Sequence, residues 1–154
     1  MATYDKTGKG GTTGHPSNGR TPYLVENTID VSAINSSSGT SNGDIVQAID
    51  VPAETLVMAA GVEVLTALSS SATIDLGITG STAGHHDPDA FVDGYDATGT
   101  GLAPMDATDA AAMLVVKTAD TIDALVGGAD SSAGKIRVWA VLCDISGVDE
   151  TDHN

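Results

Sequence analysis

Residues 135–145 read KIRVWAVLCDI, and this stretch decides the fold class. Ile136, Val138, Ala140 and Leu142 share one parity, while Lys135, Arg137, Trp139, Val141 and Cys143 take the other. Period two is the signature of a β-strand, whose side chains alternate between two faces. Both parities turn apolar towards the middle, so this reads as a central strand. Arg137 and Trp139 lie two residues apart on one face and are therefore neighbours in space. Two readings of the pair stand open. Trp and Arg dominate interface hot spots, which makes them an interface anchor. Alternatively, Trp139 belongs to a sandwich core with the Arg137 stem covering its rim.

Working back from that strand, residues 121–126 form a short strand ending at a glycine-rich turn. Residues 72–78 alternate cleanly, with Ala72, Ile74, Leu76 and Ile78 on one side and Asp75 on the other. Val62, Val64 and Thr66 alternate after a short apolar run at 55–58, and Gly61 reads as a bend between two strand segments. Ile45, Gln47, Ile49 and Val51 mark a further strand, which Pro52 ends or confines to an edge. In residues 23–34, Val25, Ile29 and Val31 share a parity, with Asn27 between them. Residues 91–95 read as a short strand or packed loop, and 96–106 as an irregular glycine-rich segment. Residues 109–116 mix helix-favouring alanines with a strand-favouring Val115-Val116 end, and a strand is placed at 113–117. About eight short strands between glycine-rich turns predict an all-β domain, a β-sandwich or jelly roll. The absence of βαβ alternation argues against a parallel nucleotide-binding sheet.

The expected domain covers residues 22–146. Before it, residues 1–21 are rich in Gly, Thr and Ser and offer almost nothing to bury, so they read as an extended N-terminal arm, either flexible or ordered on a partner. Residues 147–154 form an acidic tail. The core must come from aliphatic side chains, because 41% of the chain is hydrophobic but only 3% is aromatic.

The formal net charge is −15, from 21 acidic and 6 basic residues. It is distributed unevenly: Lys6, Lys9 and Arg20 face Asp5 alone in residues 1–20, a net of +2, and the rest carries −17. So few cations disfavour nucleic-acid binding, which needs cationic contacts to phosphate. The acidity reads either as solubility, including in a salty habitat, or as a body kept off nucleic acid and off its own copies. No stretch approaches the ~18 apolar residues of a membrane span, and no signal peptide is visible. Cys143 is the single cysteine, which excludes an intrachain disulfide and suggests a small packed side chain.

Chemistry has few footholds. Gly8-Lys9-Gly10-Gly11 lacks the spacing of a phosphate loop. The His85-His86-Asp87-Pro88-Asp89 segment, with Asp93 and Asp96, reads as a solvated acidic loop or as a calcium site, although its spacing matches no EF-hand. Serines sit in turn clusters without a nucleophile elbow, and no pair of carboxylates stands out. No catalytic residue, metal ligand or cofactor is assigned.

Several stretches resemble the small β-rich decoration, or cement, proteins of tailed-phage capsids. They are IDVPAETLV (49–57), AGVEV (60–64), ATIDLG (72–77), FVDG (91–94), TID (121–123) and GKIRVWAV (134–141). The resemblance covers roughly residues 45–145 and brings no catalytic residue. It implies a non-enzymatic virion protein, made in a host cytoplasm, on the outer capsid surface. Its partner would be the major capsid protein, and its own state an oligomer, a trimer being favoured. Lys6, Lys9, Arg20, Arg137 and Trp139 are the expected interface residues. A receptor- or glycan-binding domain of a phage fibre is the competing class.

Overall fold

The computed structural model describes residues 21–34, 38–69, 71–80, 86–103, 105–106 and 113–146. The arm, apart from Thr21, and the tail lie outside the described residues, and with them Lys6, Lys9 and Arg20.

Among the described residues, nine strands form two antiparallel sheets. They are β1 (Tyr23–Asp30), β2 (Ile45–Val51), β3 (Thr55–Thr66), β4 (Thr73–Ile78), β5 (Asp87–Asp96), β6 (Gly101–Ala103), β7 (Leu114–Val116), β8 (Asp120–Gly127) and β9 (Lys135–Asp144). The first sheet runs β1-β9-β3-β6, with β7 also on β3, and the second runs β2-β8-β4-β5. β6 pairs with Val62–Val64 and β7 with Thr55–Val57, so the two together act as one interrupted edge strand. Apart from the β4–β5 hairpin and the β6–β7 step, every connection crosses between the sheets. That winding is a jelly roll, in which consecutive strands alternate between two packed layers.

The core follows from the alternation. Ile136, Val138, Ala140 and Leu142 of β9 face inward, as do Ile74, Leu76 and Ile78 of β4 and Ile122, Ala124 and Val126 of β8, all buried. Phe91, the chain's single phenylalanine, is fully buried among them. Each large aliphatic side chain removed from water here contributes about 1.5–3 kcal/mol.

Several expectations change where a bulge shifts the phase. On β2 the register slips between Gln47 and Ile49, so Ile45 and Gln47 point outward while Ile49 and Val51 point inward. Ile45 is accordingly 51% exposed. The extra residue, Ala48, offers its carbonyl to the Asn27 amide at 2.9 Å. This accounts for a polar residue between Val25 and Ile29 on the inward parity of β1: Asn27 ties the two sheet edges together. On β3 the slips lie between Val57 and Ala59 and between Val64 and Thr66, not at Gly61, and the strand continues unbroken through Gly61. β1 ends at Asp30, earlier than expected, because the Asp30 carboxylate accepts from the Ser32 N–H at 3.1 Å and caps a short 3-10 turn. β5 begins at Asp87 and β6 is a strand, so parts of both segments read as polar or glycine-rich loop belong to the sheets.

Candidate interface on the first sheet

Trp139 sits on the outer parity of β9, the face turned away from the core. In register it lies between Glu26 of β1 and Gly61 of β3. A Cβ added at Gly61 would stand 2.6 Å from Trp139 Cζ2 and 2.7 Å from the Ala103 carbonyl oxygen. Gly61 is therefore the bed on which the indole lies, and the missing side chain serves close approach. The core reading of Trp139 is corrected: the inner face at this level is filled by Val138 and Ala140, and the ring lies half-buried outside the sandwich.

One register step along, Thr28, Arg137, Glu63 and Leu102 form a row across four strands. The Arg137 Nε donates to Glu63 Oε2 at 3.0 Å, and Nη2 donates to the same oxygen. Hydrogen bonding and charge from Glu63, with Glu26 adding, raise the Arg137 pKa further and keep it cationic. Arg137 is thus held in place by a cross-strand partner rather than draped over a core tryptophan. Leu24, Glu26, Glu63, Leu102, Arg137 and Trp139 line a shallow depression of about 390 Å³. Leu24 is 63% exposed and Leu102 57% exposed. Two open leucines flank a half-buried indole and a fixed guanidinium, and Trp and Arg are the residue types that anchor interfaces.

The structure thus brings Arg137 and Trp139 together and adds Leu24, Gly61, Glu63 and Leu102. Leu24 had one signal in the sequence, an apolar residue out of phase with Val25 and Ile29. Glu63 and Leu102 reach the site through cross-strand register, which local pattern does not encode.

The second sheet presents a different outer face. Asp75, Asp89 and Asp93 lie near one another. Burial raises the Asp75 pKa, the Asp93 and Asp89 charges add to that, and a 2.5 Å hydrogen bond from the Gly94 N–H opposes it. Asp123 is buried, and its Oδ2 accepts from the Thr79 N–H at 3.2 Å. Of the acidic segment considered for calcium, His85 lies outside the described residues, and Asp87–Asp96 is strand rather than loop. Among the described residues no three His, Cys, Asp or Glu side chains group as metal ligands.

No family model matches the sequence, and no curated protein matches it. Solved structures do. A chain of the acidic stable capsid structure of Helicobacter pylori bacteriophage KHP30 aligns with TM-score 0.56 and 12% identity, over 80% of this chain and 89% of that one. A chain of the cyanophage Pam1 capsid asymmetric unit aligns with TM-score 0.59 and 14% identity, over 93% of this chain and 91% of that one. The fold is one found in phage capsids. In both alignments most of the other chain is covered, so those chains consist of little more than this fold.

Proposed function

We propose that the protein is a structural component of a tailed-phage virion that binds the outer surface of the capsid and stabilises it by bridging capsomers. The observation that carries this reading is the outer face of the first sheet. A jelly roll whose fold recurs in two phage capsid structures has Trp139, Arg137, Leu24 and Leu102 gathered on one unpartnered face. The occupant proposed for that face is the major capsid protein, with the chain acting as an oligomer, a trimer being favoured. Lys6, Lys9 and Arg20 of the arm add contacts along the shell. The strongly acidic second sheet then faces solvent.

Bridging explains how such a protein strengthens a shell without turnover. Each contact is modest, but a copy gripping two capsomers converts its second contact into an intramolecular one, and many copies multiply the gain. The role needs binding energy and no chemistry.

Purified protein is added back to expanded heads that lack it, and occupancy and resistance of the heads to heat are measured. Saturable binding that raises the temperature of head disruption is the expected result. Deleting residues 1–21 lowers occupancy, and Trp139→Ser lowers it further. Heads that neither bind the protein nor gain stability overturn the reading, and selective binding to glycans would favour a fibre domain.

A further inference from the structure

Asp123 is the least expected side chain in the fold. It stands at the centre of the second sheet, on the outer parity of β8, and only 1% of it is exposed. Thr79 donates to Oδ2 from its N–H and its hydroxyl, while Oδ1 has no hydrogen-bond partner among the described residues. Burying a carboxylate with one oxygen unmatched is costly, and such an atom points to a ligand, a water or an ion. No Lys or Arg lies on any strand of this sheet. Asp120, whose carboxylate lies against Gly80, and the Asp75, Asp89 and Asp93 group add negative charge around it.

The register shows which residues flank the Asp123 side chain. Asp123 pairs with Gln47 on β2 and with Gly77 on β4. A Cβ at Gly77 would run into the carbonyl oxygens of Asp87 and Pro88, the latter at 2.6 Å. Those carbonyls therefore fill the side-chain position next to Asp123 on the same face. Directly paired side chains start about 5 Å apart, and a carboxylate reaches part of that way. Gln47, on the other flank, turns toward Thr121, to whose Oγ1 its Nε2 donates at 3.3 Å. One carboxylate and two main-chain carbonyls are hard ligands, the kind that calcium takes at 2.3–2.6 Å with flexible geometry.

We infer that Asp123 anchors a calcium site on the outer side of the second sheet, with the Asp87 and Pro88 carbonyls as neutral ligands. A single carboxylate sets the affinity low, at about 10⁻⁴–10⁻³ M, the range of extracellular modules. Calcium would pin the start of β5 to β8 and satisfy Oδ1. Magnesium, which demands a tight octahedron, would do so poorly.

The test is thermal unfolding of the full chain in EDTA, in calcium, in magnesium, and in sodium chloride matched for ionic strength. At ten times the dissociation constant, calcium should raise the midpoint by about 3–5 °C above the sodium chloride control. Calcium should also move the amide resonances of Gly77, Thr79 and Asp123 more than those of the first sheet. Asp123→Asn should abolish the calcium response and, in EDTA, unfold no lower than wild type. A calcium effect matched by sodium chloride overturns the inference, and so does no effect. A response retained in Asp123→Asn, or resonance shifts centred elsewhere, also overturns it. If Asp123→Asn fails to fold, the resonance map of the wild type decides.

Discussion

On the first sheet, the middle of the outer face holds Trp139 lying over Gly61, with Leu24 and Leu102 open beside it. On the second, the corresponding ground holds Asp75, with Asp89 and Asp93 close by. The sandwich is the same beneath both: inward aliphatics from each sheet fill one core. The difference is confined to side chains that contribute little to that core. An apolar, aromatic face gains from being covered, whereas a carboxylate-rich face loses hydration when covered. Two sheets of one fold can therefore be assigned opposite roles, one adhesive and one solvated, without any difference in backbone architecture.

Breaking the bed of the tryptophan should have the largest effect. Gly61→Val places atoms where the indole and the Ala103 carbonyl already lie, and should cost about 2–3 kcal/mol of stability by denaturant unfolding. Gly99, with no atoms near its Cβ position, is the control; Gly99→Ala should stay within about 0.5 kcal/mol. If Gly61→Val is tolerated as well as Gly99→Ala, the close packing of Trp139 on the sheet is wrong.

Trp139→Ala should weaken attachment to heads by about 30-fold, the scale of a hot spot worth 2 kcal/mol. A truncation at Gln47, on the outer face of the second sheet, should leave attachment within about twofold. Equal losses at both positions would erase the distinction between the faces.

Arg137→Met removes an ion pair whose two side chains remain partly open to water, and should change stability little in denaturant unfolding. Its effect on attachment should exceed its effect on folding if the proposed contact with the capsid is made through this face.

The smallest effect concerns pH. The folded-state pKa of Asp75 lies above its usual value, through burial first and then the Asp93 and Asp89 charges. Its contribution is therefore favourable below the unfolded pKa and is lost as pH rises through the folded one. At neutral pH, Asp75→Asn should be more stable than wild type by a few tenths of a kcal/mol, since water screens this half-buried site. The gain should vanish as pH falls through the carboxylate range. A gain that grows on acidification would contradict the assignment.

Much of the fold was legible because β4, β8 and β9 alternate without interruption, and Ile74, Ile122 and Ile136 mark their inward faces directly. β2 and β3 were less so, because bulges at Ala48 and Met58 invert the phase in mid-strand, and a pattern read straight through puts Ile45 on the wrong side. The site was half legible. Arg137 and Trp139 announced themselves by type and spacing, but β9 is apolar on both parities, so the pattern alone left open which face met water. Gly61 resembled a bend because glycine serves bends and close approaches alike, and only the position of Trp139 separates the two. Asp123 gave no signal at all, being one more acid in an acidic chain until the register set Gly77 beside it.

The central claim is that the first sheet is the covered one. Amide hydrogen exchange of the protein, free and bound to heads, tests it most directly. The account predicts new protection on binding along β1, β6 and β9 around Leu24, Leu102 and Trp139, with β4, β5 and β8 unchanged. Protection centred on β4, β5 and β8 would contradict it.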